Sequence, residues 1–293
     1  MDSTAASLRS RVLKKDEQVK WTNCEHLLDI YRKMKSSAFV ADYSDINKTL
    51  KTNAKVECQA NLEDATLGVI VETRKSELLE YVILNFIRQT NLRVQLFHGL
   101  ENKEFILAGN LLKYVVSGQI ILYELSTNSL KAPAYNALFL TREFWQIIAG
   151  RGKIFVFQAD SIICENSDYC LNDFLDFDYI GSGWSRKRPV DLIIDGGSGG
   201  LSIRDWHKSV ECLETFPSEL WKGGEDGFFA FHIELLAGKV GNIIECGKFS
   251  TQDFFTHNSF GAHQVSRLPS EQQKKFLNYS PEAKFMLPSV SNK

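Results

Sequence analysis

Between Thr66 and Gly99 the chain runs strand, helix, strand, at lengths that leave few folds open. "TLGVIVETR" is an apolar run of extended-preferring residues that ends in Glu72-Thr73-Arg74. "SELLEYVILNFIRQT" carries Leu78, Leu79, Val82, Ile83 and Phe86 on one helical face, and "RVQLFHG" reads as the next strand. Two strands joined by a crossover helix pair in parallel, and a parallel sheet needs helices on both faces. The alternation continues. "PAYNALFLTREFWQIIAG" predicts a helix ended by Gly150, and "KIFVFQAD" a central strand. "DFDYIGSGW" predicts a short strand and loop, and "GSGGLSIRD" a turn leading into a strand. "GEDGFFAFHIELLAG" predicts a helix with Gly238 just past its end. The fold class is therefore α/β.

Outside this body, residues 5–38 read as helix, with Leu8, Val12, Val19, Leu27, Leu28, Tyr31 and Met34 near helical spacing. They form a helical extension, residues 1–60, that packs on the main body or on a second subunit, which leaves a homodimer open; no chemistry is legible in it. The main domain spans 61–268. Residues 269–293 are a polar, loosely attached tail in which "SEQQKKFL" has the makings of a short helix.

Composition narrows the function. A net charge of −2 gives no general attraction to nucleic acid or to an anionic membrane. No apolar run is long enough to span a bilayer, and the N-terminal twenty residues lack the apolar core of a signal peptide. The six cysteines form no Cys-x-x-Cys pair, so reduced thiols and a cytoplasmic location are expected.

Five stretches carry candidate chemistry. Ligands of open α/β sheets sit at the carboxyl ends of parallel strands, and Glu72-Thr73-Arg74 and Gln158-Ala159-Asp160 occupy such ends. A carboxylate that interrupts an apolar run needs a partner. Asp160 either holds a divalent cation against a diphosphate or caps a turn and pairs with a base. "DGGSGGLSIR" lacks the ending of a phosphate-binding loop; its glycines let the backbone lie flat on a substrate or simply make a hairpin turn. Glu225 and Asp226 open a helix, where acids favour the dipole, and a general base there would stand at the mouth of a pocket. His257 and His263 lie in one Gly- and Phe-containing loop.

Taken in order, the motifs are Val71-Glu72-Thr73-Arg74 with Asn85, Tyr135-Asn136 before Phe144-Trp145, and Phe157 to Ser161 with Cys164. "NDFLDFDYIGSGW", Gly197 to Arg204, Glu225 to Phe229 and Phe260 to His263 follow. This set, over about residues 66 to 265, resembles a family of predicted GT-A-type glycosyltransferases first catalogued as a domain of unknown function. The chain departs from the family's pattern at Ser198, where the family has Asn, at Ser182-Gly183-Trp184 with the basic Arg186-Lys187-Arg188 after it, and in the N-terminal extension.

The resemblance implies a GT-A-like domain with a Rossmann-like nucleotide-binding half and a central mixed sheet. It implies a hexosyl- or pentosyltransferase that moves a sugar from a nucleotide-sugar donor, by analogy a UDP-sugar, to a glycan or other hydroxyl acceptor. In the Asp-x-Asp position of such enzymes only Asp160 remains, with Gln158 as the first residue. Asp160 and His263, with His257 as fallback, would then hold Mn²⁺ or Mg²⁺, and manganese tolerates the mixed oxygen and nitrogen set better. Glu72, Thr73 and Arg74 with Gln158 and Asp160 would bind nucleotide. Trp184, Ser198, Gly199 and Gly200 would face the sugars. Asp226 would be the base of an inverting transfer, with Glu225 second. Two other readings compete: an inactive nucleotide-sugar-binding module in which Gln158 marks a lost metal site, and a nucleotidyltransferase. The latter should have a glycine-rich loop after the first strand, and "VETRKSELLE" has no glycine.

Overall fold

The computed structural model describes residues 2–15, 18–50, 64–185 and 191–287; Cys58 and Arg186 to Arg188 lie outside them. Helices α1 (Thr4–Leu13), α2 (Glu25–Lys33) and α3 (Ile46–Leu50) come first. Then follow β1 (Leu67–Glu72), α4 (Leu78–Thr90), β2 (Val94–His98), α5 (Lys103–Ala108), α6 (Leu112–Val116) and β3 (Ile120–Glu124). Next are α7 (Ala132–Phe139), α8 (Arg142–Gln146), β4 (Lys153–Phe157), β5 (Ser161–Ile163), β6 (Tyr179–Ser182) and β7 (Ser198–Asp205). The chain continues through α9 (Trp206–Thr215), α10 (Glu225–Leu235), α11 (Ile243–Phe249), β8 (Ser250–Thr251), β9 (Gly261–His263) and α12 (Ser270–Tyr279).

The main sheet has six strands in the order β3-β2-β1-β4-β7-β6. β3, β2, β1 and β4 run parallel, whereas β7 is antiparallel to β4 and β6 to β7. The expected α/β architecture, with a Rossmann-like parallel half, a mixed central sheet and an N-terminal helical extension, is what the chain adopts. The strand order reverses between β1 and β4, so a crevice opens at their carboxyl ends. A small second sheet, β5-β9-β8, lies beyond that end.

Packing explains several motif residues. A Cβ on Gly68 would sit 2.5 Å from the Phe86 ring, so glycine lets α4 press close to β1. Phe86 in turn stacks on Phe157, with centroids 4.1 Å apart. The buried Asn85 side chain pairs with the backbone of Ile163, donating to its carbonyl (3.1 Å) and accepting its N–H (2.9 Å), which ties α4 to β5.

The N-terminal segment is not one helix. α1 and α2 are separated by a 3₁₀ turn at Trp21–Asn23, and Lys20 and Cys24 on either side of it are extended. A straight helix over 5–38 would be roughly 50 Å long and could not keep one apolar stripe on a rounded body. Broken, it buries Leu8, Leu27 and Tyr31 in the same core as Phe228 and Trp221, so the extension packs on its own chain. Each such apolar side chain contributes about 1.5–3 kcal/mol of gross burial. The helix expected over 133–150 is also broken, at the extended Thr141, and this lets Phe139, Phe144 and Trp145 all become fully buried. At the C-terminal side "SEQQKKFL" does form helix α12, but it is not loosely attached. Phe276 is fully buried against the second sheet, and Tyr279 donates to the Ser259 carbonyl (2.9 Å).

The five described cysteines are free thiols. Among the described residues, no helix is long and apolar enough to cross a membrane.

Candidate active site

The crevice at the switch between β1 and β4 is a cavity of about 640 Å³. Glu72, Thr73, Arg74, Gln158 and Asp160 all line it, together with Tyr135 and Gln264. Glu72 is buried, and its carboxylate accepts from the Arg74 backbone (2.9 Å), Nε (2.9 Å) and Nη2 (2.7 Å). The acid therefore faces inward and aims Arg74, whose side chain is 74 % exposed at the cavity wall. Asn102, which belongs to none of the sequence motifs, fixes this turn: its Nδ2 donates to the carbonyls of Glu72 (2.8 Å) and Arg74 (3.0 Å).

A second cavity of about 590 Å³ adjoins it, and the two share Ala132, Tyr135, Gln158 and Gln264. The second is lined by Trp184, Ser198, Gly199, Gly200, Glu225 and Asp226. It also takes in Phe39, from the segment in which no chemistry was legible.

His263 stands where the cavities meet. Its Nε2 lies 3.1 Å from Gln158 Oε1 and 3.2 Å from Asp160 Oδ1, and its Nδ1 lies 2.7 Å from Gln252 Oε1. The imidazole is nearly closed off (4 % exposed), while the Asp160 side chain is 46 % exposed to the cleft. Burial works to raise the Asp160 pKa, but the hydrogen bond and charge of His263 outweigh it and hold the carboxyl below its ordinary value. When the ring is instead neutral, with Nδ1–H donated to Gln252, three acceptors (Nε2, Oδ1 and Oε1) converge from two segments, the end of β4 and β9. A cation satisfies such a set, and the bond to Gln252 is the outer-shell contact that orients a histidine ligand. Asp160, His263 and Gln158 could thus hold a divalent metal. Among the described residues no group of three His, Cys, Asp or Glu side chains does so, hence further ligands would have to come from a bound molecule. His257 is exposed, lies against Tyr279 (centroids 5.5 Å) and lines neither cavity.

The adjacent acids diverge. Glu225 points inward to Arg204, accepting from Nη1 and from Nη2 (3.0 Å); both side chains are sealed, at 0 % and 5 % exposure. Burial is the largest influence on Glu225 and raises its pKa, with Arg204 pulling it back. The rings of Phe139, Phe229 and Tyr179 stand 5.0–5.5 Å from the guanidinium. Asp226 is half-buried and faces the second cavity; its carboxylate accepts from the backbone of Gly227 (2.7 Å) and Gly199 (3.3 Å).

These contacts explain the glycine loop. A side chain on Gly200 would overlap the His263 ring, and one on Gly199 would meet Arg204 Nη2 at 2.5 Å and Glu225 Oε1 at 2.7 Å. The bare backbone makes room first for the protein's own site residues. Gly196 and Gly197 have φ of 100° and 78°, conformations other residues rarely adopt. Tyr135 completes the junction: its hydroxyl is buried and has no hydrogen-bond partner among the described residues. Sequence order had placed Tyr135 and Asn136 in a motif without a role.

Residues 122–263 match the model of a family described as "Protein of unknown function (DUF5672)". That span holds the junction, the glycine loop and both acids, but not Val71 to Arg74 or Asn85. No curated protein matches the chain. Solved structures give distant likenesses. TarS 1–349 of S. aureus in complex with UDP-GlcNAc aligns at 17 % identity over 62 % of this chain and 56 % of that one, TM-score 0.39. The alignment thus spans little more than half of TarS 1–349. The apo-form glycosyltransferase GlyE of Streptococcus pneumoniae TIGR4 aligns at 9 % identity over 74 % of this chain and 60 % of that one, TM-score 0.45. A nucleoside-diphosphate-sugar pyrophosphorylase of Vibrio cholerae RC9 aligns at 14 % identity over 60 % of this chain and 91 % of that one, TM-score 0.39.

Proposed function

We propose that the protein is a glycosyltransferase that moves a sugar from a nucleotide-sugar donor to a hydroxyl acceptor. One observation carries the reading: a cavity at the sheet's switch point, lined by Asp160, adjoins a second cavity lined by His263 and by a half-buried carboxylate, Asp226, and Asp160 and His263 touch where the two meet. In this reading the first cavity takes the nucleoside diphosphate, with Arg74 against it. Asp160, His263 and Gln158 hold Mn²⁺, or Mg²⁺. When bound, the metal supplies a positive charge that offsets the charge developing on the departing diphosphate.

The acceptor enters the second cavity. Its hydroxyl oxygen bonds to the anomeric carbon as the carbon–oxygen bond to the diphosphate breaks. The hydroxyl proton passes to Asp226, whose two backbone N–H donors hold the carboxylate in place. Attack from the side opposite the leaving group inverts the anomeric centre. Glu225, bound to Arg204, serves as framework for that carboxylate and does not take the proton.

The reading is tested by melting curves with UDP, GDP, ADP and dTDP, each with and without Mn²⁺, followed by measurement of nucleotide release from the corresponding sugar nucleotides. UDP with Mn²⁺ should stabilise the fold most. Protection by GDP alone would discard the uracil assignment and keep the mechanism. Pyrophosphate-dependent release of nucleoside triphosphate would replace the transferase reading by a nucleotidyltransferase. Binding without any turnover would make the protein a sugar-nucleotide-binding module.

A further inference from the structure

Phe39 is a large apolar side chain left 41 % exposed, yet both its backbone N–H and its carbonyl are hydrogen-bonded. Its N–H donates to Ser37 Oγ (3.1 Å), and its carbonyl accepts from Asn136 Nδ2 (2.9 Å). On either side, Ser37 N–H donates to the Lys222 carbonyl (2.9 Å) and Asp42 N–H to the Pro133 carbonyl (3.0 Å). Lys222 Nζ also donates to the Met34 carbonyl (3.2 Å). This strap is therefore anchored to α7 and to the turn that precedes α10, the two elements that build the second cavity. The same Asn136 amide accepts the N–H of Glu225 at 2.9 Å, so one side chain fixes Phe39 and the start of α10 together. Around Gly224 the two come close: a Cβ there would lie 3.7 Å from Phe39 Cβ and 2.8 Å from Asp226 Oδ1.

A ring on a backbone tied in this way, lining a cavity and partly exposed, offers a flat apolar contact. Trp184 lines the same cavity, and so do hydrogen-bonding groups of both signs: Asp226, Asp253, Gln264 and Arg267. An occupant that matches has an apolar face and a polar edge. A pyranose ring has that division, with C–H bonds on one face and hydroxyls around the periphery. We infer that Phe39 is the platform on which a pyranose ring of the acceptor rests, and that the N-terminal strap thereby sets acceptor specificity. The inference rests on the transferase reading for which cavity receives the acceptor.

The test is binding of cellobiose, maltose, lactose and methyl β-glucopyranoside, followed by saturation-transfer NMR on the full chain. At least one should receive saturation from the wild-type protein, strongest on the C–H protons of one ring face. Phe39→Ala should weaken that binding about tenfold or more, and Phe39→Trp should restore it, with melting temperatures showing that both variants are folded. The inference is overturned if none of the four binds the wild-type protein, or if Phe39→Ala binds as tightly. Sugar binding through Phe39 in a protein that turns over no sugar nucleotide would keep this platform and discard the transferase. Turnover together with sugar binding that is indifferent to Phe39 would do the opposite.

Discussion

Two charged pairs meet adjacent residues of the glycine loop and are built in opposite ways. Arg204 and Glu225 are both closed to solvent, ringed by aromatics and hydrogen-bonded to one another through two guanidinium nitrogens. Asp160 and His263 touch at a single 3.2 Å contact, with the carboxylate half open to the cavities. In the first pair the guanidinium and the carboxylate are already bound to each other, which fits a framework role. The second leaves its carboxylate half exposed to the first cavity, where a ligand can reach it. The same contrast separates the histidines: His232 is sealed between the Tyr31 hydroxyl (2.5 Å) and the Phe228 carbonyl (2.7 Å), while His263 borders the cavities. Charge alone does not mark a site; a charged group with a vacant side does.

Four experiments would break or sharpen this contrast. The largest effect is expected at Asp226. Asp226→Asn keeps shape and removes basicity, and the transfer rate should fall ~10²–10⁴-fold; near-normal single-turnover transfer would take Asp226 out of the mechanism. Its neighbour should behave differently. Glu225→Ala leaves Arg204 as an unpaired buried charge, which should lower stability by about 3–5 kcal/mol in urea or guanidinium unfolding. If Glu225→Ala instead kept its stability and lost only turnover, the framework role would be wrong.

At the junction, Asp160→Ala should abolish the Mn²⁺-dependent part of nucleotide stabilisation. With ligand at 100 times its dissociation constant, the wild-type protein should gain ~2.7 kcal/mol. A metal-dependent shift that survives in Asp160→Ala would move the cation elsewhere. The smallest effect per step is the acid limb of stability. Burial depresses the His232 pKa from 6.5 to about 3, so the native state takes up this proton less readily than the unfolded chain. The stability due to neutral His232 is present above about pH 6.5 and is lost as pH falls toward 3, at up to ~1.4 kcal/mol per unit. A His232→Gln variant should show a flatter decline in unfolding midpoint across that window, and an unchanged slope would assign the acid limb to other groups.

Much of the site's neighbourhood could be read from strand ends, because in a parallel sheet the chain order itself dictates where loops converge. Glu72 to Arg74 and Gln158 to Asp160 line one cavity for that reason. The partners of those residues could not be read in the same way. Asn102, Asn136, Gln252 and Tyr135 are ordinary polar or aromatic residues in unremarkable spacing; Asn102 and Asn136 act through contacts across 28 residues or more of chain, and Gln252 through His263 on β9. Glu225 and Asp226 are nearly equivalent as adjacent acids at a helix start. About 100° of helical rotation separates them, and that turns one onto Arg204 and the other toward the cavity.

The sequence by itself determined the α/β class, the parallel half, and the position of the candidate ligand loops, since hydrophobic period and strand–helix alternation are local properties that fix topology. Only the tertiary structure decided which charges are spent on each other and which face open space. It also decided that the N-terminal segment folds back to place Phe39 beside Asp226. Burial and pairing depend on which distant segments meet, and no local pattern of residues encodes that.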